Sequence, residues 1–419
     1  MRIFLISLII LLNMMAPALA ATTLLVPDYI LDVERGERIP GLAVVVDGNR
    51  IITIAAADSL RSRKFDRIIT LSGQTLMPGL IDAHSHILLH PYDETGWNDQ
   101  LLKESRAERV LRAGNHLRAT LMAGFTALRD LGSEGAGYAD VGIREALAKG
   151  IITGPRLIVA GRAIVVTGSY GPKGFDLSHN IMPGAEPADG NDVIRVVRDQ
   201  IGKGADVVKF YADYRWGPQG QARPTFSLAE MKLIVETAKS SGRPAVAHAA
   251  TPEGMRRAIM AGVQSIEHGD GGNLEIFQLM KKHGVIFCPT LAAGDAISRY
   301  RGWQGQRPFP ERIITKRKVM KAALKAGVTI CNGSDVGVFS HGENLRELEL
   351  LVDYGMSRAD SLRAATITGA ELMGMHQELG QVREGYLADL IAVGGDPLRD
   401  FDVLKNIRFI MKDGVIYQD

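Results

Sequence analysis

Hydrophobic positions follow one pattern at the two ends of the chain and another in its middle. Near the amino terminus, short β-rich runs alternate with turns, which predicts a small antiparallel β unit. These runs are residues 22–26, 42–46, 50–54 and 67–71. After Leu379 the β-rich character returns, at 385–393, 407–411 and 415–417. We therefore expect the two ends of the chain to pair with each other in one β domain.

Between these ends, from about Leu76, short apolar runs alternate with stretches of helical periodicity such as 228–240 and 311–326. The strand candidates are 77–84, 125–129, 156–160, 207–210, 245–248, 265–267, 285–288 and 328–331. Eight β-then-α units of this kind indicate a (β/α)8 barrel of the TIM type rather than a doubly wound sheet. The sequence thus predicts an α/β protein, with the barrel at 76–375 and a small β-sandwich-like domain formed from 21–75 and 376–419.

Composition agrees with this picture and narrows the choice of partners. Of the 419 residues, 46% are hydrophobic and 23% are charged, as in folded globular proteins. The formal net charge is +2, so there is no excess positive field to hold nucleic acid or an anionic membrane surface. We expect a small-molecule substrate and no nucleic-acid partner.

Residues 1–20 have the features of a signal peptide. Arg2 precedes an apolar run at 3–12, and Ala-Leu-Ala at 18–20 provides a small-x-small cleavage site. A membrane anchor is the alternative, but the run is shorter than the roughly 20 apolar residues that a membrane span needs. We expect cleavage near Ala20, a periplasmic or secreted mature protein and no stable membrane anchor.

The chain has two cysteines, Cys288 and Cys331, and both lie in apolar segments that are predicted to be strands. Two buried thiols are the simpler expectation, because two cysteines in a chain of this length are not a disulfide framework. A disulfide is the alternative if the two strands are neighbours.

Side chains that can bind a metal follow five of the predicted strands. His84 and His86 lie two residues apart at the end of the first barrel strand, so strand geometry directs both imidazoles to the same side. That side is the mouth of the barrel, where imidazole nitrogens can ligate a borderline metal ion. The other candidates at strand ends are Lys209, His248, His268 and Asp335. Together these residues predict a metal site at the mouth.

The order of these residues resembles that of the amidohydrolase superfamily of binuclear metal hydrolases. That family has His-x-His after strand one, Lys after strand four, His after strands five and six, and Asp after strand eight. The resemblance includes the segments 77–86, 124–132 and 385–390 and spans about residues 22–419. Within the superfamily, the chain is most similar to the imidazolonepropionase-like branch. This branch contains exported Xaa-Pro and Xaa-Arg dipeptidases and the amidohydrolases that hydrolyse ochratoxin.

The resemblance implies that the six strand-end residues hold two divalent metal ions. His84, His86 and Asp335 would hold one ion, and the other two histidines the second. Lys209 would bridge both ions after carbon dioxide has converted its amine to a carbamate, because a protonated lysine has no lone pair with which to ligate. Zinc is the expected metal, although manganese, cobalt or iron also suit these ligands.

The same resemblance implies hydrolysis of an amide, with Asp335 as the catalytic acid/base that passes a proton from the attacking water to the leaving amine. The expected substrate is a dipeptide or an N-acyl amino acid of the Xaa-Pro, Xaa-Arg/Lys or N-acyl-Phe type, including ochratoxin, whose C-terminal amino acid is released. Relatives are often homo-oligomers. A cyclic amide or lactone hydrolase is the alternative, and an inactive binding barrel is the second. Deamination is disfavoured, because deaminases of this superfamily generally lack the bridging lysine.

Substrate recognition is expected from the loops that follow the strands. The loop after Lys209 contains Tyr211, Tyr214 and Arg215, which offer a cation and hydroxyl groups to a substrate carboxylate. An ordinary aromatic surface turn is the alternative for this loop. After the third strand, Tyr170 stands where many relatives have a histidine, so their substrate preference does not transfer directly. His341 follows Asp335 closely and is either a mouth residue or a solvated loop histidine.

Overall fold

The computed structural model describes residues 22–176, 178–181 and 184–419. The predicted signal peptide and its cleavage site lie outside the described residues. Within the described part of the chain, no helix is both long and apolar enough to cross a membrane.

The amino-terminal segment forms extended strands that lead into the centre of the molecule. In chain order its elements are β1 (Thr22–Asp32), β2 (Glu37–Pro40), β3 (Leu42–Asp47), β4 (Arg50–Ala56), α1 (Ala57–Leu60) and β5 (Arg67–Pro78). β1 pairs with β2 and β3 in antiparallel fashion, as expected, but it pairs with β5 in parallel. The prediction of a purely antiparallel unit was therefore wrong. The α1 crossover between β4 and β5 lets β5 run in the same direction as β1.

The central region alternates strands and helices. Its strands are β6 (Leu80–Ser85), β7 (Phe125–Asp130), β8 (Arg156–Val159), β9 (Ile164–Val165), β10 (Glu186–Pro187), β11 (Val208–Tyr211), β12 (Asp213–Arg215), β13 (Ala222–Pro224), β14 (Ala245–Ala249), β15 (Ser265–His268) and β16 (Ile286–Cys288). Its helices are α2 (Trp97–Leu102), α3 (Arg106–Met122), α4 (Ala139–Ala148), α5 (Asp192–Gly202), α6 (Leu228–Lys239), α7 (Pro252–Ala261), α8 (Leu274–His283), α9 (Leu291–Tyr300), α10 (Glu311–Ala326), α11 (Leu345–Asp353), α12 (Arg358–Ala364) and α13 (Ile367–Leu372).

Parallel pairing joins these strands into the wall of a barrel. β6, β7 and β8 form one run, and β9, β11, β14, β15 and β16 form another. The amide of Val207 donates to the carbonyl of Val159 and links the two runs. At the other end of the wall, the amide of Ala83 donates to the carbonyl of Asn332 at 2.9 Å. The (β/α)8 barrel fold is thus confirmed.

Two of the predicted barrel strands differ from the observed ones. The first divides at Gly79, because Met77 pairs with Ile391 in the terminal sheet whereas Leu80 begins the barrel. A β-carbon at Gly79 would lie 2.2 Å from Oγ1 of Thr126, so only glycine allows the chain to cross there. The eighth, 328–331, is not a regular strand, since Ile330 alone forms a bridge, to Phe287.

The end of the chain adds β17 (Leu390–Gly394), a 3₁₀ helix (Phe401–Lys405), β18 (Ile407–Lys412) and β19 (Val415–Gln418). β17 pairs with β5, so both ends of the chain join in one eight-stranded sheet. This sheet forms the separate β domain that the sequence predicts from both termini. The limits of the two domains stay a prediction.

Cys288 and Cys331 form a disulfide, so the expectation of two free thiols was wrong. The amide of Cys331 donates to the carbonyl of Phe287, which sets Cys331 beside the end of β16. Their α-carbons are 5.0 Å apart, which is within the range that a disulfide requires. The alternative that depended on neighbouring strands is the one observed.

Candidate metal centre

Three side chains that could bind a metal ion converge at the carboxyl end of the barrel. Nε2 of His86 lies 3.3 Å from Oδ1 of Asp335, and Nε2 of His84 lies 3.6 Å from the same oxygen. All three side chains are shielded from solvent, and each can present one ligand atom to a shared point. Their convergence follows from the fold, because β6 carries both histidines and the segment with Asp335 closes the barrel beside it.

The free nitrogen of His84 indicates that this group is built to hold a cation. Its Nε2 is buried and has no hydrogen-bond partner, although a buried polar atom without a partner destabilises the fold. Burial lowers the pKa of His84 to about 4, so the ring is neutral and offers a lone pair. Burial also opposes protonation of His86, but Asp335 and Glu134 outweigh it and raise the pKa of His86 to about 9.

The second pair of histidines lies next to the first group. The ring centroids of His248 and His268 are 4.4 Å apart, and that of His268 is 5.1 Å from that of His84. Nδ1 of His248 is buried without a partner, and burial lowers its pKa to about 3. Nδ1 of His268 is 2.8 Å from the hydroxyl of Thr290.

Lys209 lies fully buried within this cluster. Its charge contributes to the lowered pKa values of His84, His248 and Asp335, which places its amine near all three. Burial lowers the pKa of Lys209 itself to about 8, which favours the neutral amine that can react with carbon dioxide. The structure therefore brings all six predicted residues together, while their roles as ligands stay a prediction.

Backbone strain concentrates around the same cluster. Six non-glycine residues in the described chain have positive φ angles. Five of them surround the centre, namely Glu134, Tyr170, His268, Thr290 and Asp335. L-amino acids disfavour this conformation, and it persists at functional sites where the surroundings enforce it. His268 and Asp335, with φ of 72° and 62°, are thus held in orientations that an ordinary strand end would not give.

The sequence analysis missed a buried ion pair that orients His84. Glu267 accepts a hydrogen bond from Nδ1 of His84 at 2.7 Å and another from Nη2 of Arg129 at 3.1 Å. Both Glu267 and Arg129 are fully buried. The sequence did contain a signal for this pair, because both charged residues lie inside apolar barrel strands. Charged residues in such positions are almost never fully buried unless they are paired.

Asp82 anchors the segment that carries Asp335. Its carboxylate accepts hydrogen bonds from the amide of Ser334 at 2.9 Å and from Nδ2 of Asn344 at 2.7 Å. Burial raises the pKa of Asp82 to about 6. These bonds fix the backbone next to Asp335 against β6, which replaces the missing regular eighth strand.

The predicted substrate residues divide into two groups. Tyr214 and Arg215 line a cavity of about 280 Å³ that His248, His268 and Asp335 also line. Arg215 is exposed, and it forms no ion pair with any residue that the structure describes. Tyr211 instead stacks on His248, with ring centroids 4.3 Å apart.

Tyr170 and His341 have other partners. The hydroxyl of Tyr170 donates to Glu134 at 2.7 Å, and its ring packs 4.5 Å from that of Tyr211. Nε2 of His341 lies 3.1 Å from the carbonyl of Leu89, and its ring stacks on His116 at 4.2 Å. His341 therefore has an interior packing position rather than one on the wall of the site cavity.

Comparison with known proteins gives consistent matches over most of the chain. A model of the amidohydrolase family matches residues 75–417. An ochratoxinase of Aspergillus niger is 30% identical, over 91% of this chain and 84% of its own length. A crystal structure of a Xaa-Pro dipeptidase with methionine bound in its active site is 31% identical, with a TM-score of 0.85 over 95% of this chain and 100% of that one.

A further solved structure is a prolidase in complex with N-methylphosphonate-L-proline. It is 28% identical, with a TM-score of 0.81 over 95% of this chain and 99% of that chain. These matches confirm the predicted resemblance.

Proposed function

This chain belongs to the amidohydrolase family, and from that premise we propose that it is an exported enzyme that releases the C-terminal amino acid from a dipeptide or N-acyl amino acid. The chain is a hydrolase of amide bonds; the export and the substrate class are the proposal. One observation carries it: the guanidinium of Arg215, which has no ion pair in the described part of the chain, lines the same cavity as His248, His268 and Asp335. Residues 1–20 support export.

The donor set fits two divalent ions, for which we propose zinc. His84, His86 and Asp335 would hold one, and His248 and His268 the other, with carbamylated Lys209 between them. The buried, unpartnered Nε2 of His84 and Nδ1 of His248 are atoms for which a cation is the natural partner. When bound, such a pair of ions activates water and polarises the scissile carbonyl.

The protein side chains then handle the proton. Burial raises the pKa of Asp335, but His84, His86 and Lys209 outweigh it and keep the pKa below its usual value, so its carboxylate is ionised at neutral pH. Asp335 accepts a proton from the attacking water and delivers it to the leaving nitrogen as the C–N bond breaks. Water is consumed, and the products are a carboxylate and a free amine. The C-terminal amino acid leaves with that amine.

Recognition of the free carboxylate is assigned to Arg215, with Tyr214 beside it. In a dipeptide or N-acyl amino acid, that carboxylate lies one residue beyond the scissile carbonyl. A charge-assisted hydrogen bond to a guanidinium contributes about 1.5–3 kcal/mol. The relatives named above, an ochratoxinase, a Xaa-Pro dipeptidase and a prolidase, support this class of substrate.

Turnover of matched acids and amides tests the proposal. The metal-loaded protein should hydrolyse Xaa-Pro, Xaa-Arg or N-acyl-Phe acids, and the corresponding C-terminal amides should be poor substrates. Arg215→Met should lower kcat/KM for the acids by about ten- to a hundred-fold and change the amides little. Arg223→Met is the matched control, because Arg223 pairs with Tyr214 across the same hairpin but does not line the cavity.

Two outcomes would contradict the proposal in different ways. Equal rates on acid and amide would mean that the carboxylate is not recognised and would favour the cyclic amide or lactone alternative. A harmless Arg215→Met with a retained preference for acids would preserve the substrate class and move recognition to another group. Two other cations, Arg162 and Lys173, are the candidates for that role. Arg162 forms an ion pair with Glu186, whereas Lys173 lies 5.9 Å from the ring of Tyr214, so Lys173 is more available to bind the carboxylate.

A further inference from the structure

A second cavity opens beside the candidate metal centre, and the two share part of their walls. The outer cavity has a volume of about 500 Å³, and the inner one about 280 Å³. Asp270, Ile297 and Arg312 line both. The two cavities therefore adjoin at these three residues.

Helix α9 lies along this junction. Its residues Gly294 and Ile297 line the inner cavity. Ile297 also lines the outer cavity, together with Arg301, which directly follows the helix. The segment that follows α9 adds Trp303, whose indole nitrogen donates to the carbonyl of Gln306 at 2.7 Å. Because this bond and the neighbouring Phe309 hold the indole, the outer cavity has a fixed aromatic wall.

Helix α10 forms the opposite side and places a cation at the junction. Arg312, Thr315 and Lys316 are spaced by three and four residues and so share one face of α10. Lys316 is buried and already paired with Asp270, and it donates to the carbonyl of His268 at 2.8 Å. Arg312 has no ion pair among the described residues.

The stem of Arg312 packs against α9 at Gly294. A β-carbon at Gly294 would be 3.6 Å from Cδ of Arg312, which is an ordinary van der Waals distance. Arg312 and Arg215 line the same small cavity from two different elements. Asp270 also lines this cavity but pairs with Lys316, so neither guanidinium has an ion pair of its own among the described residues and both can bind an anion from the substrate.

We infer that the outer cavity is the binding site for the side chain of the leaving amino acid, with Arg312 as a second anchor for that residue's carboxylate. The inference rests on the proposed function. An amino acid held by its carboxylate at the junction directs its side chain past Ile297 towards Trp303. The apolar part of the outer wall, Ile297, Trp303 and Pro310, therefore favours an aromatic or branched apolar side chain over glycine.

A series of substrates with a constant acyl group tests this assignment. N-acetyl-glycine, N-acetyl-alanine, N-acetyl-leucine and N-acetyl-phenylalanine should be hydrolysed with kcat/KM rising at least about ten-fold from the first to the last. Trp303→Ala should remove most of that gain, so that kcat/KM varies little across the series. Equal rates across the series in the unmutated enzyme would overturn the inference while leaving the proposed function intact.

A binding measurement separates this inference from the proposed function. By calorimetry, the metal-loaded protein should bind L-phenylalanine about ten-fold more tightly than glycine or L-phenylalaninamide. Arg312→Met should reduce the preference for the acid, because Arg215 alone then holds the carboxylate, and Lys318→Met, an exposed charge loss on the same helix, should leave the preference unchanged.

Each outcome of the two experiments has a distinct meaning. Binding of phenylalanine without turnover of any acid would refute the proposed function and keep the cavity as an amino-acid site. Turnover with equal binding of glycine and phenylalanine would refute the cavity assignment alone. Absence of both binding and turnover would refute both.

Discussion

The orientation of His84 depends on Glu267, a residue that does not line the site cavity. A carboxylate on Nδ1 fixes the ring's tautomer and rotation, so the lone pair on Nε2 points at the candidate metal position. Arg129 keeps that carboxylate ionised: burial raises the pKa of Glu267, but Arg129 and His84 outweigh it and lower the pKa to about 2. The ion pair therefore positions His84 within the candidate metal centre.

Replacing Glu267 with methionine should weaken metal binding by about 10- to 100-fold, because His84 then loses its orientation. Metal affinity, measured by competition with a chelator, is the direct readout. Glu267→Met also leaves Arg129 buried without a partner, which destabilises a fold by about 3–5 kcal/mol. The double variant with Arg129→Met removes both charges and should regain stability without regaining affinity. Full affinity in the double variant would show that the ion pair is only structural.

Sequence reasoning succeeded at single residues where position in a strand decides direction. His84 and His86 were expected to face one way because their spacing matches the alternation of a strand, and both side chains approach Asp335. His341 could not be placed in this way, since it lies in a loop and its partners, Leu89 and His116, belong to distant segments. Arg312 was missed because helix packing alone brings it to the cavity.

Helix α11 supports the mouth of the barrel through two polar side chains. Asn344, directly before the helix, donates to Asp82, which anchors the segment with Asp335. Within the helix, Glu347 accepts a hydrogen bond from the amide of Ala292 at 2.7 Å, in the first turn of α9. Thr290 precedes α9 and contacts Nδ1 of His268. Thus α11 and α9 together hold both sides of the centre.

The pH dependence of stability should report on Glu347. Burial raises its pKa from 4.5 to about 8 in the folded protein. Between these two pH values the unfolded chain releases a proton that the folded chain retains, so the free energy of unfolding falls as the pH rises. Glu347→Gln removes this loss and keeps an acceptor for Ala292. We expect it to raise Tm by about 2 °C or more near pH 8.5 and to change it little near pH 5.

Glu349→Gln is the matched control for this prediction. Glu349 lies two residues further along the same helix but pairs with Arg346 and Lys405. Its replacement should give no gain in Tm that grows with pH. Identical pH profiles for the unmutated protein and Glu347→Gln would mean that Glu347 is not held neutral in the folded state.

Among the elements, helices with a regular hydrophobic periodicity could be predicted from the sequence, whereas the irregular segment that closes the barrel could not. The helix predicted at 311–326 is observed as α10 with the same limits. The segment 328–331 has the apolar composition of a strand, yet only Ile330 forms a bridge in it, and the chain then bonds to β6 through Asn332 and Val336 while Asp82 holds Ser334. The disulfide depends on the pairing of this segment with β16, and the number of cysteines in the sequence does not reveal that pairing.

The whole molecule combines an eight-stranded terminal sheet with a barrel that carries the candidate metal centre at one end. Its fold class was predictable because eight apolar segments alternate with helices, and a β-rich pattern recurs at both termini. The parallel pairing of β5 with β1 was not, since strand direction depends on the path of the connection rather than on composition. The substrate could not be predicted from hydrophobic periodicity either, because the cavities are formed by loops and helix faces of distant segments.

Elemental analysis of the purified, unmutated protein tests the central claim of a two-ion centre most directly. We predict close to two divalent ions per chain, held by His84, His86, His248, His268, Asp335 and carbamylated Lys209. Removal of the ions by a chelator should abolish hydrolysis of the amide, and Lys209→Ala should lower the metal content. A metal content near zero in a protein that still hydrolyses the amide at its full rate would contradict the account.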